Sequence, residues 1–241
     1  MGKNMRNYNS SIGYEIPSAV YNKELRDYMV AVYQYMAFAL AITGMVAVGA
    51  ASSPTFMSLI FGTPLQWVVA FAPLVMVFFM GARITTMSSD AAKVSLAVFA
   101  ALMGLSLSSI FLVYTGESIA RLFFIAASVF GSMSLYGYTT KKDLTSFGSF
   151  LIMGLIGILI ASIVNLFLAS SAMQFIISFL GVIIFTGLTA YDTQRVKDSF
   201  FMLPDRGKAT NIAVYGALTL YMDFINLFVM LLQLFGHRRD E

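Results

Sequence analysis

Two aspartates stand in stretches of this chain that are otherwise suited to lipid. Asp192 lies in LTAYDTQRVKD at 188–198, and Asp223, 31 positions later, is the only formally charged residue of LTLYMDFINLFVMLLQLF at 218–235. A charge near the centre of a bilayer costs at least ~2.5–3.5 kcal/mol. An acid facing lipid is therefore a poor reading of Asp223, which leaves a polar contact between helices or a functional site. If Asp192 and Asp223 meet, they cannot both ionise cheaply in a low dielectric, so they share a proton and titrate as one unit. That is the chemistry of a proton sensor, or of a weak cation site made from oxygen ligands. Asp192 also has a plainer reading, a helix-surface pair with Arg195 at i+3.

Other polar groups gather around these acids. Tyr215, Thr219, Asp223, Asn226 and Gln233 recur at spacings of four, four, three and seven, which draws a polar stripe along one face of a helix. Such a stripe lines a narrow aqueous path or bonds across to neighbouring helices. Arg83, in FFMGARITT, could pair with a carboxylate and latch two helices together, or could anchor a helix end at the membrane surface. With no Cys and a single His, His237, which reads as a solvated tail residue, the chain offers no ligand set for zinc, copper or an iron–sulfur cluster. It also carries no P-loop, GxGxxG or GxSxG element, so no cofactor is expected.

The elements that must position these residues follow from composition. Hydrophobic residues make up 59% and charged residues 11%, far below the roughly 25% charged content of a soluble domain. Mean hydropathy is +0.80. The chain reads as an all-α integral membrane protein whose first partner is membrane lipid. Seven apolar spans are long enough to cross ~30 Å of hydrocarbon, near 29–51, 65–82, 94–114, 119–138, 147–168, 172–191 and 211–235. Asp223 is then about 18 Å from the C-terminal end of the last span, close to the bilayer midplane. Gly148, Gly154 and Gly157 in the fifth span, with Ala127 and Gly131 in the fourth, offer small surfaces for close helix approach.

Charge sets the expected orientation. Twelve of the 15 Lys and Arg residues fall in the N-terminal tail and the loops after spans two, four and six, and three (Arg121, Arg238 and Arg239) fall on the other side. By the positive-inside rule the N-terminus is cytoplasmic and the C-terminus external, which requires an odd number of spans. The expected organisation is a polar cytoplasmic tail over 1–28, a seven-helix domain over 29–236 and a short external tail over 237–241. The 23-residue first span is too long for a signal-peptide core, so no cleavage is expected. The net charge of +3 is scattered over short loops, which argues against nucleic acid.

At GLTAYDTQ (187–194), ALTLYMDFINLF (217–228) and GYTTKKDLTSFGSFLIMGLIGILIASIVNLFL (137–168), the chain resembles the bacterial branch of the Bax inhibitor-1, or transmembrane Bax inhibitor motif, family. The resemblance covers roughly residues 25–236. It implies a central seventh helix wrapped by six others in a bacterial plasma (inner) membrane. It also implies a pH-sensitive calcium leak governed by two aspartates, whose roles fall on Asp192 and Asp223, with Ca2+ and H+ as their ligands. The family's latch arginine corresponds to Arg83 by approximate position. A weak site suits a leak, because a cage of six to eight oxygens would hold Ca2+ too long. No enzyme is expected. Two rivals are a non-transporting regulator of other membrane proteins and an intramembrane aspartyl protease. Against the protease, Leu220, Tyr221 and Met222 precede Asp223 instead of a GxGD pattern.

Overall fold

The computed structural model describes residues 18–202 and 206–239, the side chains of 18–22 and of Arg206 excepted. The expected tail over 1–28 therefore lies largely outside the described residues. Nine helices are seen among them: α1 (Ser18–Ala51), α2 (Pro54–Phe61), α3 (Leu65–Arg83), α4 (Ser89–Leu107), α5 (Ile110–Val113), α6 (Gly116–Thr139), α7 (Thr145–Leu168), α8 (Ser171–Phe201) and α9 (Ala209–Phe235). Seven segments are long and apolar enough to span a membrane: Lys23–Ala51, Leu65–Arg83, Ser89–Val113, Gly116–Thr139, Thr145–Leu168, Ser171–Phe201 and Ala209–Phe235. The protein is all-α with seven candidate membrane spans.

Local chemistry explains most of the breaks. The side chains of Ser53, Ser88, Thr115 and Ser170 accept hydrogen bonds from backbone N–H groups at the starts of α2, α4, α6 and α8, satisfying donors that have no intrahelical partner. Pro54 opens α2, where its missing N–H costs nothing. The end of α7 turns through Ala169 in the left-handed region (φ 48°), and the Asn165 side chain holds that turn by accepting from the Ser170 N–H at 3.0 Å. Pro73 sits inside α3, which continues through it. The third span is interrupted at Ser108 and Ser109, where α4 gives way to the single turn α5.

Two boundaries differ from the sequence expectation. Helix α1 begins by Ser18, well before the apolar stretch, and α8 runs on through TQRVKDSF to Phe201. At 31 residues α8 is about 46 Å long, more than the ~30 Å hydrocarbon core, so it extends past the membrane surface.

Packing is uneven. Helix α9 has 56% of its apolar window buried, against 11% for α3, so α9 is the most buried of the seven candidate spans and α3 the least. Helix α9 packs against α8, α1, α6 and α4, and its contact with α8 is the most extensive between any two helices. Phe224 meets Phe123 and Phe130 edge-on at ring-centroid distances of 5.2 and 5.6 Å, and Tyr221 meets Phe99 in the same way at 5.2 Å. Outward-facing side chains such as Phe78, Phe124 and Phe167 are exposed, as lipid-facing residues must be.

The small residues divide. A Cβ on Gly148 would fall 2.3 Å from the Tyr191 ring, and one on Gly154 would fall 2.9 Å from Ile184 Cδ1, so these glycines admit α8. Gly131 and Gly157 meet nothing within 4 Å, which corrects their assignment to close contacts: they lie on faces turned away from the neighbouring helices. Gly137 is the tightest approach that the sequence reading missed. There α6 lies so close to α8 that a Cβ would stand 2.2 Å from the Ala190 carbonyl oxygen.

Candidate functional site

The C-terminal third of α8 is pinned from several sides. The Gln194 amide accepts from the Leu144 N–H and donates to the Lys142 carbonyl, both at 2.8 Å, which ties α8 to the turn between α6 and α7. Lys197 Nζ donates to the Tyr138 carbonyl at 2.9 Å. Thr193, fully buried, bonds the Ser134 hydroxyl at 2.9 Å, and Ser134 bonds Tyr33, linking α8, α6 and α1 through three hydroxyl groups. These bonds fix the rotation of α8 and leave Asp192 facing α9.

Asp192 and Asp223 come together there. Both are buried, at 8% and 5% exposure, and are the only buried carboxylates among the described residues. Their carboxyl groups are within hydrogen-bonding reach of each other. Two carboxyls can bond only if a proton lies between them, and burial makes the doubly charged alternative expensive. The two surroundings are unequal. Arg195 Nη1 lies 3.8 Å from Asp192 Oδ1, but the Arg195 side chain is 65% exposed, so water screens much of its pull. Asp223 Oδ2 is buried, and among the described residues no donor bonds it. The i+3 pair and the meeting of the two acids, which were alternatives in sequence, thus coexist.

The other candidates are placed differently. On α9, Tyr215, Thr219 and Asn226 lie on a partly exposed face, while Asp223 is turned toward the buried flank. The Thr219 hydroxyl donates to the Tyr215 carbonyl of its own helix at 3.1 Å. Gln233 bonds across to α8: its Oε1 accepts from Gln174 Nε2 at 3.0 Å and from the Ser178 hydroxyl at 2.9 Å. Arg83 is exposed at the end of α3, and among the described residues no ion pair joins it to Asp192 or Asp223. No group of three or more Asp, Glu and His side chains gathers as a metal site among the described residues, so the pair offers two carboxylates and no more.

One tie was missed in the sequence. Asn211, 1% exposed at the start of α9, donates from Nδ2 to the Ile84 and Met87 carbonyls, both at 2.8 Å, and accepts from the Ser89 hydroxyl at 3.0 Å. It joins α9 to the α3–α4 turn, a connection of the kind expected of Arg83. The available signal was an amide in the first turn of an apolar helix, a position that sequence alone assigns to the membrane surface.

A seven-span helical membrane protein with a buried carboxyl pair between its last two spans is the class that fold and site define. Over residues 25–240 the chain matches the Bax1-I family, described as inhibitor of apoptosis-promoting Bax1. The chain belongs to the Bax inhibitor-1 family. It is 46% identical over 218 residues to the inner membrane protein YbhL of Escherichia coli, covering 89% of this chain and 93% of YbhL. It is 45% identical over 238 residues to an uncharacterised protein of Rickettsia prowazekii, covering 98% of this chain and all of that one. An uncharacterised protein of Caulobacter vibrioides is 44% identical over 245 residues, with 98% of each chain covered.

Proposed function

We propose that this protein is a pH-responsive calcium leak of a bacterial inner membrane, in which Asp192 and Asp223 are both the proton sensor and the weak Ca2+ site. The observation that carries this reading is the contact of two buried carboxyls on adjacent helices, with one oxygen, Asp223 Oδ2, left unpartnered. With one shared proton the pair holds α8 and α9 together. Loss of that proton leaves two like charges in a low dielectric, a state relieved by a divalent cation or by separation of the helices. Protonation and cation occupancy therefore compete for the same oxygens, and the helix pair is the two-state element that both bias.

In this reading α9 is the central helix, wrapped by the other six spans. Gln233, which faces α8, lies along the way to and from the pair, and Arg83 restrains the cytoplasmic end of α3. The N-terminus faces the cytoplasm and the region after α9 faces outside. The pair works in transport and not in catalysis: it binds an ion and a proton and breaks no covalent bond.

The test is purified protein in liposomes loaded with a Ca2+-sensitive dye. Ca2+ influx above that of empty liposomes, varying with external pH, is the expected result. Liposomes that admit no Ca2+ at any pH would overturn the leak and favour a non-transporting regulator of other membrane proteins.

A further inference from the structure

Beyond α9 the chain folds back onto the bundle. The Thr115 N–H donates to the His237 carbonyl and the Arg239 N–H to the Val113 carbonyl, both at 3.0 Å, so Tyr114 and Arg238 pair as an antiparallel bridge. The His237 N–H donates to the Ser118 hydroxyl at 3.0 Å. Four basic side chains gather at this fold-back, and three of them, Arg121, His237 and Arg238, are engaged with neighbouring side chains. Arg121 Nη2 bonds His237 Nδ1 at 3.2 Å, and the Arg238 guanidinium lies beside the Tyr114 hydroxyl.

Arg239 is different. Its Nε donates to the Tyr114 carbonyl at 3.3 Å, and its side chain borders a cleft of about 650 Å3. The walls are mostly apolar, from α1 (Ala51 included), α2 and α5, and the two hydroxyls among them, on Ser52 and Ser58, donate to the Gly49 and Thr55 carbonyls. Among the described residues no carboxylate lines the cleft and no ion pair joins Arg239 to an acid. The nearest acids in sequence, Asp240 and Glu241, lie outside the described residues.

An apolar cleft with one guanidinium at its mouth has a restricted set of occupants. Its volume falls in the range of ligand sites, ~300–1,000 Å3. Water fills such a space poorly, because the walls offer few hydrogen bonds. The cleft lies where the connections after α1 and α5 meet the chain beyond α9, which puts Arg239 at the depth of lipid headgroups and the apolar walls below it. A guanidinium presents paired N–H donors to phosphate, and it favours an anionic headgroup over one that carries its own cation.

We propose that this cleft binds an anionic phospholipid of the leaflet on the side where α9 ends, with one acyl chain between α1, α2 and α5 and its phosphate on Arg239. The site is separate from the carboxyl pair and stands whether or not the protein passes Ca2+. The test is native mass spectrometry of the full chain in detergent, titrated with phosphatidylglycerol, phosphatidylcholine or inorganic phosphate. Wild-type protein should retain phosphatidylglycerol in preference to phosphatidylcholine. Arg239→Gln should weaken phosphatidylglycerol binding about fivefold, the effect of one basic residue at a charged membrane surface, and leave phosphatidylcholine binding unchanged. Arg239→Lys should keep the preference, and Ala51→Phe, which fills the cleft without altering charge, should weaken both lipids. A preference that survives Arg239→Gln, or phosphatidylglycerol binding that survives Ala51→Phe, overturns the proposal. Displacement of the lipid by inorganic phosphate alone would mark a plain anion site and overturn the lipid assignment. A melting curve checks the fold of each variant, and Ala51→Phe with Arg239→Lys decides the matter if Arg239→Gln does not fold.

Discussion

Asp192 and Asp223 touch, yet they differ in what each can release. Asp192 keeps a screened guanidinium at its outer side, while Asp223 has a buried oxygen, Oδ2, that no donor among the described residues satisfies. Asp223→Asn keeps the shape and supplies an N–H donor toward Asp192, so the helix contact should survive while the shared proton is lost. A switch worked by one proton changes its open-to-closed ratio by at most about tenfold per pH unit. We expect Ca2+ flux in liposomes to follow that limit in the wild type and to be flat in Asp223→Asn, in Asp192→Asn and in the double variant, which adds little because the two groups act as one. Asp143 supplies the control. Its carboxyl is held below the usual carboxylate range, first by the Thr145 side chain and then by the Thr145 N–H. A depressed value means that the contribution of this helix-start contact is present above the ordinary carboxylate range and is lost only as pH falls through the lowered one. Asp143→Asn should therefore leave the pH profile of flux unchanged near neutrality, and a flattened profile there would place the sensor outside the pair. At this scale the two aspartates were legible because an acid in hydrocarbon is costly. The rotation of Asp223 away from Tyr215, Thr219 and Asn226 was not, since a four-four-three spacing tolerates tens of degrees. The hydroxyls of Tyr33, Ser134 and Thr193 were also hidden, because such groups can bond within their own helix and carry no visible cost.

Among the helices, ties through Asn211 and through bare glycine surfaces hold α9 and α8 in register. Asn211→Ala removes two donors and leaves the Ile84 and Met87 carbonyls short of a partner. Polar contacts between membrane helices are worth about 1–2 kcal/mol at the upper end, so this variant should melt several degrees below wild type in detergent. Gly148→Leu should lower the melting temperature further, because the Tyr191 ring already occupies the space of a Cβ. Gly157→Leu should leave it nearly unchanged, and equal losses at both positions would show that α7 is packed on both faces. Helix existence was readable from hydropathy, but the full lengths of α1 and α8 were not, because their polar ends, TQRVKDSF among them, carry no apolar signal. Which face of α7 turns inward was not readable. That helix has the highest mean hydropathy of the seven, 2.6, so it lacks a polar face to mark the outside. Helix α2 escaped for a different reason: at eight residues it is too short to register as a span.

For the whole molecule, the number of spans and the distribution of charge constrain each other. Seven candidate spans place the connections after α1 and α5 on the same side as the chain beyond α9, and the turns before α4 and α7 on the opposite side. The main-chain bonds that join His237 and Arg239 to Thr115 and Val113 agree with this, since the four spans between them return the chain to the same side, and an odd number there would separate the two segments. The proposed cytoplasmic side rests on the sequence count of Lys and Arg alone, twelve in the N-terminal stretch and the connections after spans two, four and six against three elsewhere. The chain has no cysteine, so single cysteines can report exposure without removing others. Ser52→Cys and Glu117→Cys should react with a membrane-impermeant maleimide in intact cells, whereas Thr85→Cys and Lys141→Cys should react only after the membrane is opened. All four side chains are exposed, so burial within the protein does not mask them. The reverse pattern would invert the orientation and place the cleft bordered by Arg239 in the cytoplasmic leaflet. Labelling of all four in intact cells would show that the spans do not alternate as the helices imply.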